Sequence, residues 1–521
     1  MRFFGVLLAC ALGVTATQAW AAGPQTRVAQ GALLGIREHG VNAFRGIPFA
    51  APPIGKLRWQ PPAPVQPWSG LRRATHFGPI CPQNVRGPFA PALPQSESCL
   101  TLNVWTTHLH PAKLQPVMVW IYGGGFVEGG SALPYYDGSE LARRGVVVVS
   151  FNYRLGWLGF FDDPDLAKKG EATGNYGLMD QIAALTWVRQ NIAAFGGDPN
   201  KVTIFGESAG GMSVNDLMTS PLARGLFIRA ISESGLGLVP LQTAQAAEHA
   251  AKAFLAREHI TGDGPEALTE MRRLPVRAIV ADLKGKPFDE TPAPMIDGTV
   301  LREQPVVAFA EGAIAHAAYL AGSNSNEASL ITATGLTTTT VLSRTGSQLP
   351  QLRALYAKHG IKGNAALAGA LFDDRVFAAG AQGLALYAAH RGEPAFVYYF
   401  AYVPQKLRNK VHGVGHGYEV PFVFGNRGYL GPYPKFAAKL KRETTAEDRV
   451  VRRMVQTYWT NFAKTGNPNG VSLPRWPATR PGHEVTLVIR SHSHAVHNFH
   501  GTRLASAFAA FTAQSHLRIP H

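Results

Sequence analysis

The chain predicts an α/β fold with a mostly parallel central sheet and helices on both faces, and three observations carry that expectation. Val117 to Tyr122, Val146 to Phe151 and Val202 to Phe205 are apolar, β-branched runs without alternation, the pattern of strands buried on both faces. Between the last two, Leu178, Ile182, Leu185, Val188 and Ile192 fall on helical spacing within Tyr176 to Phe195. Strand, helix, strand is the signature of a right-handed parallel unit.

The chain begins with a segment that reads as an address rather than as structure. Arg2 supplies a positive start, Phe3 to Val14 an apolar run, and Ala19-Trp20-Ala21 a small-x-small cleavage pattern. The run is shorter than the roughly 20 residues that a bilayer span needs. Residues 1–21 are therefore expected to be a signal peptide, with a mature chain from about Ala22 that works outside the cytoplasm, in the periplasm or secreted. Leu7-Leu8-Ala9-Cys10 resembles a lipoprotein box, but cleavage there would leave almost no apolar core. Cys10 leaves with the signal, so Cys81 and Cys99 remain as a candidate disulfide in an oxidising compartment. The alternative for Cys99 is a buried thiol.

Composition excludes several classes. With 46% hydrophobic and 16% charged residues, the 521-residue chain buries a large core and is neither disordered nor fibrous. Its formal net charge of +16 reads either as a solvated basic surface or as attraction for anionic substrates, polymers or membrane surfaces. Lys406, Arg408, Lys410, Lys435, Lys439, Lys441 and Arg442 crowd one region. No aromatic interleaving or nucleic-acid motif accompanies them.

The third strand leads into Gly206-Glu207-Ser208-Ala209-Gly210, a G-x-S-x-G nucleophile elbow. A serine there must sit on a sharp strand-to-helix turn in strained backbone, which lifts its hydroxyl clear of the sheet. The residues two before and two after it are pressed together and need to lack side chains. Ala209 to Met218 starts a helix that Pro221 helps to stop. The positive end of that helix favours a developing oxyanion.

At this point the sequence resembles the type-B carboxylesterase family, which includes cholinesterases and bacterial para-nitrobenzyl esterases. The resemblance covers nearly the whole mature chain. It rests on Phe44 to Ala50 (FRGIPFA), Leu57 to Trp59, Glu97 to Trp105 (ESCLTLNVW), and Trp120 to Phe126 (WIYGGGF). It continues through Asn152 to Arg154, Gly174 to Gln181, Phe195 to Pro199, Phe205 to Gly211, and the segment Trp459 to Asn469. Ser98 departs from the family, which commonly has Asp before the cysteine. The resemblance implies an α/β-hydrolase fold with helical cap segments, formed by residues 22–521 as a single domain, and hydrolysis of carboxylic esters. It also supports the Cys81–Cys99 pairing and an Arg154–Asp180 ion pair.

A serine hydroxyl is a poor nucleophile at neutral pH and needs a neutral imidazole to take its proton. Among 18 histidines, His416 in His416-Gly-Tyr-Glu419 is similar to the family's catalytic-histidine stretch. His412 lacks that continuation. His492, His494, His497 and His500 have no Cys or carboxylate partners at metal-ligand spacing and are expected on a loop or strand surface. In the order Ser, acid, His, Glu327 in Gly322 to Ser329 resembles the family's acid loop, although Ala328 stands where the family usually has Gly. Asp297 is the rival acid and matches a structural loop. The oxyanion-hole donors implied by the resemblance are the N–H groups of Gly124, Gly125 and Ala209. Glu207 and Ser234 either support the triad from behind or are ordinary hydrogen-bonding residues of a packed turn.

Pro240 to Lys286 reads as mostly helical, broken at Pro265 and Pro275, and segments near 240–320 and 330–400 are expected to cap the sheet and wall a gorge. Pro82 to Ser98 contains no tryptophan of the kind cholinesterases use against a quaternary ammonium. A general or anionic ester therefore suits the chain better than a choline ester. No metal or organic cofactor is called for. Amide or carbamate hydrolysis by the same triad, and a binding-only role like that of the family's adhesion members, are the alternatives.

Overall fold

A computed structural model describes residues 23–84, 93–162, 174–261, 265–281, 283, 290–426 and 444–520. The expected signal peptide lies outside the described residues, as do the basic residues Lys435, Lys439, Lys441 and Arg442. Eleven strands make the main sheet: β1 Ile36–Glu38, β2 Val41–Pro48, β3 Thr101–Thr106, β4 Gln115–Ile121, β5 Val147–Phe151, β6 Gly197–Glu207, β7 Arg229–Glu233, β8 Ala318–Asn324, β9 Ala395–Phe400, β10 Val485–Ile489 and β11 His494–His497. Across the sheet they run β11-β10-β9-β8-β7-β6-β4-β5-β3-β2-β1. From β5 through β10 every neighbour is parallel, and the antiparallel pairs lie at the two edges.

The three apolar runs of the sequence are β4, β5 and β6, each extended by one or more residues or trimmed at its rim. They are central, which explains their lack of alternation: Val117 to Ile121 and Val147 to Phe151 are buried at every position. Helix Tyr176–Asn191 is likewise buried along most of its length and passes into a 3-10 turn, Ile192–Phe195, where Gly196 ends it at φ 81°. That left-handed stop suits glycine, which has no Cβ to clash. Trp120 of β4 centres the core, with ring centroids 4.8 Å from Phe205, 5.0 Å from Tyr136 and 5.0 Å from Phe424. Removing such a ring typically costs about 3–5 kcal/mol.

Other helices cover the sheet. Ala209–Thr219 packs on β6 and β7, Ala379–His390 on β8 and β9, and Ala446–Thr465 on β4 and β6. The last helix begins with a reciprocal capping box between Thr445 and Asp448. The 240–286 stretch holds helices Ala244–Arg257, Pro265–Arg273 and Val276–Ala281, so Pro265 opens one helix and Pro275 lies between two. Helices between 329 and 390 gather a second, smaller apolar cluster that includes Leu352, Tyr356, Leu367, Leu371 and Phe377.

Cys81 and Cys99 are joined, with both sulfurs buried. Arg154 and Asp180 form a buried two-pronged pair, Nε to Oδ2 and Nη2 to Oδ1 each at 2.8 Å. Among the described residues no helix is long and apolar enough to cross a membrane. The histidine cluster near the C-terminus differs in one member from the sequence expectation. His492, His494 and His497 are exposed on or beside edge strand β11, whereas the half-buried His500 turns inward and meets Asp374, with Nδ1 3.0 Å from Oδ1. A carboxylate more than a hundred residues away supplied the partner that local spacing could not reveal.

Candidate active site

The site forms where β6, β7 and β8 end, at the carboxyl edge of the parallel sheet, the usual place for ligands in such folds. Register sets its geometry. Ser232 pairs with Gly206 and Glu233 with Glu207, while Gly322 of β8 lies beside Glu233. The chain then leaves each strand at the same level: Ser208 N–H donates to the Glu233 carbonyl at 2.9 Å, and Ser234 N–H to the Gly322 carbonyl at 2.8 Å.

Ser208 sits at φ 59°, ψ −124°, a strained conformation for a residue with a Cβ. The glycines around it make that turn feasible. A Cβ on Gly206 would lie 2.5 Å from the Gly210 carbonyl oxygen, and one on Gly210 would lie 2.0 Å from the Ile121 oxygen. The helix Ala209–Thr219 starts at once, so its first N–H groups, which have no partner within the helix, face the turn. On the neighbouring strand end, Gly124 and Gly125 adopt φ 116° and 61°, and a Cβ on Gly123 would come 2.9 Å from that of Ser208. The glycine loop after β4 is thus packed directly against the serine.

His416 and Glu327 are brought together from 89 residues apart, with Nδ1 2.6 Å from Oε2. Glu327 is fully buried and its other oxygen accepts from Ser234 Oγ at 2.6 Å and from Asn324 N–H at 2.7 Å. A carboxylate only accepts, so Nδ1 carries the proton and Nε2 is presented to the elbow. The two loops are stitched by Asn326 N–H to the Val414 carbonyl at 2.9 Å, Val414 N–H to Ser325 Oγ at 2.9 Å and His416 N–H to Ser329 Oγ at 3.0 Å. Asp297, by contrast, spends its Oδ1 on the N–H groups of Thr299, Val300 and Leu301 in its own turn.

Nε2 of His416 lies 3.1 Å from Glu207 Oε1, off the hydrogen-bond direction, so it has no hydrogen-bond partner among the described residues. Glu207 precedes Ser208 in the chain, so the imidazole meets the elbow at the residue next to the serine. Burial opposes a charge on the ring, but Glu207 and Glu327 together, with the hydrogen bond to Glu327, override it and push the His416 pKa up to about 9. Burial first, and then the charge of Glu327, raise Glu207 to about 7 against the pull of His416.

Two further carboxyls that sequence reasoning gave no role stand behind this pair. Glu233 is raised to about 8 by burial and by Glu207, against a hydrogen bond from Trp459 Nε1 at 2.7 Å. Burial and the charges of Glu207, Glu233 and Glu327 raise Glu419 well above the carboxylate range. Asn324 Nδ2 donates to Glu419 and to the Gly415 carbonyl, the latter at 3.1 Å. Burial thus favours the neutral form of both Glu233 and Glu419. Only the Gly-Tyr-Glu run after His416 marked Glu419 in the sequence, and nothing marked Asn324. Among the described residues no group of His, Cys, Asp and Glu has the arrangement to hold a metal ion.

Chemically, the arrangement offers a hydroxyl on a cramped turn, an imidazole oriented by a buried acid, and backbone N–H groups beside the hydroxyl. Comparisons with known proteins point the same way. A sequence model of the Carboxylesterase family matches residues 22–506. The chain is 38% identical over 463 residues to fumonisin B1 esterase of Sphingopyxis macrogoltabida, covering 86% of this chain and 83% of that one. It is 37% identical over 481 residues to para-nitrobenzyl esterase of Bacillus subtilis (strain 168), covering 88% and 94%. Among solved structures, a PNB esterase superposes with a TM-score of 0.80 at 32% identity over 93% of this chain and 99% of that one. A carboxylesterase of Geobacillus stearothermophilus gives 0.79 at 32% identity over 92% and 99%.

Proposed function

The chain belongs to the carboxylesterase family and is a carboxylic ester hydrolase with the α/β-hydrolase fold, and from that premise we propose that Ser208, His416 and Glu327 are its nucleophile, base and acid. The observation that carries this reading is the 2.6 Å contact between His416 Nδ1 and buried Glu327 Oε2, with Nε2 in no hydrogen bond among the described residues and 3.1 Å from Glu207 Oε1, the residue next to the strained Ser208 turn. In acylation, neutral His416 takes the Ser208 proton as Oγ attacks the ester carbonyl carbon. The tetrahedral oxyanion is held by the N–H groups of Gly124, Gly125 and Ala209, where losing one donor typically costs about 2.7–4 kcal/mol of barrier. His416 then hands the proton to the departing alkoxide. In deacylation it takes a proton from water as the water oxygen attacks the acyl carbon, then returns that proton to Ser208 Oγ as the acyl–Oγ bond breaks and the carboxylic acid leaves.

Residues 22–521 act as one catalytic unit in this reading, since the three groups come from 208, 327 and 416. Export to the periplasm or beyond is part of the proposal, supported by the Cys81–Cys99 bridge and the leader-like start. The substrate is an ester of neutral or anionic character: a net charge of +16 repels cations and concentrates anions at the surface. Relatives named for fumonisin B1 and cocaine differ widely in their esters, which fits a pocket that chooses by shape.

The test combines a fluorophosphonate probe, with peptide mapping of the labelled residue, and a panel of para-nitrophenyl esters against matched anilides. Label on Ser208 and turnover of esters well above anilides are expected. Label on another residue refutes the triad. Equal esterase rates for cationic and anionic acyl groups, unchanged by salt, refute the charge preference.

A further inference from the structure

The candidate acid loop has a tether that the triad does not explain. Ala328, next after Glu327, donates its N–H to Asp373 Oδ1 at 2.6 Å. Asp373 opens a π-helical turn, Asp373–Ala378, a rare element that recurs at functional sites. Four residues on, the Phe377 ring lies against the His416 imidazole with centroids 5.3 Å apart. One six-residue turn thus grips the backbone of the acid and the face of the base.

The turn is itself clamped from two sides. Asp374, fully buried, accepts from Arg503 Nε at 2.7 Å and Nη2 at 2.9 Å, from Tyr356 Oη at 2.7 Å, and pairs with His500 Nδ1 at 3.0 Å. Arg503 stands in the first turn of the C-terminal helix Gly501–Ser515, and Tyr356 in helix Leu349–Lys358. Four contacts on one buried carboxylate hold the turn rigidly, because that carboxylate without them would be a buried charge left unpaired.

We propose that Asp373 is a positioning residue for the Glu327–His416 contact, locked in place by the Asp374–Arg503 clamp, so that docking of the C-terminal helix sets the geometry of the catalytic pair. The inference rests on the reading of Glu327 and His416 as acid and base. Asp373 serves Ala328 as a hydrogen-bond acceptor, and burial first, and then the charge of Glu327, raise its carboxyl well above the usual range, toward the neutral form. A neutral carboxylic acid still offers its carbonyl oxygen to Ala328, and asparagine reproduces that oxygen without a charge.

The experiment uses the full chain with Asp373→Ala, Asp373→Asn, Arg503→Ala, Arg503→Lys and the Asp373→Ala/Arg503→Ala double variant. Each is assayed on para-nitrophenyl butyrate well below its own Tm. Asp373→Ala and Arg503→Ala are expected to lower kcat about tenfold with KM within about twofold, well inside the roughly 100-fold that a 1 Å misplacement costs. Asp373→Asn should recover kcat to within about threefold of the parent, and Arg503→Lys should recover part. The double variant should lose far less than the product of the single losses, as partners in one chain of contacts do.

Parental kcat in both alanine variants, a change in KM alone, or full multiplication of the two losses overturns the proposal. If Asp373→Ala does not fold, Asp373→Glu decides: displacing the acceptor by one methylene should lower kcat, and parental kcat refutes it. Fluorophosphonate labelling separates the two layers. A parent enzyme not labelled on Ser208 defeats the triad itself, whereas labelled Ser208 with indifferent variants defeats only the positioning role.

Discussion

Glu207→Gln replaces a carboxylate whose Oε1 lies 3.1 Å from His416 Nε2 with a neutral group of nearly the same shape. At that distance a unit charge pair is worth about 5 kcal/mol with an effective dielectric of about 20. Burial offsets part of this, and Glu327 holds the other side of the ring, so the net result in the parent is an imidazole at about 9. Removing one of two flanking carboxylates should lower the His416 pKa by about 1–3 units. The sign follows from the chemistry: the base must be neutral, a lower pKa makes it neutral at lower pH, and the ascending limb of activity moves toward acid. The limb belongs to the Glu207–His416 pair in the parent and to His416 alone in the variant.

The assay is kcat/KM for a simple ester by pH-stat titration from pH 5 to 10, which avoids the ionisation of a nitrophenol reporter. The variant should overtake the parent in relative activity on the acid side, with its half-maximum displaced downward by at least about one unit. A limb that stays in place, or moves upward, refutes the assignment of Glu207 as the group that charges the imidazole.

Gly210→Ala should fail to fold or lose at least about 2 kcal/mol in urea unfolding, since overpacking costs of that order arise when a Cβ meets backbone at 2.0 Å; parental stability contradicts the cramped turn. Cys81→Ser/Cys99→Ser opens a bridge across 18 residues and should cost about 3 kcal/mol on a loop-entropy basis, read from the shift of the unfolding midpoint, and no shift argues that the bridge carries no stability. Ser234→Ala removes the 2.6 Å hydrogen bond to Glu327 Oε1 and should lower kcat about tenfold with KM little changed, as loss of one support to a hydrogen-bonded acid does; an unchanged kcat shows that Asn324 N–H suffices.

The sheet was readable because its central strands are buried on both faces, so β4, β5 and β6 advertise themselves as unbroken apolar runs. The elbow was readable because its chemistry is local: strand, serine between close-packed glycines, and helix occupy one stretch of chain. His416 and Glu327 were placed by likeness to family stretches, since no rule of spacing ties residues 327 and 416 to 208. The buried acids were not readable as a group. Glu207 lies in the elbow motif and Glu419 in the histidine stretch, but nothing in the sequence brings them together with Glu233, and their raised pKa values arise only where the strand ends and the histidine loop converge. His500 shows the same limit. Its neighbours at 492, 494 and 497 are exposed, and only the tertiary approach of Asp374 distinguishes it.

Trapping the acyl group tests the central claim most directly. Rapid acid quench of a para-nitrophenyl ester reaction, followed by peptide mass mapping, should find the acyl mass on the peptide bearing Ser208, formed within the burst and absent from His416→Ala on the same timescale. An acyl group on another side chain, or equally fast acylation of Ser208 without the imidazole, would contradict the account.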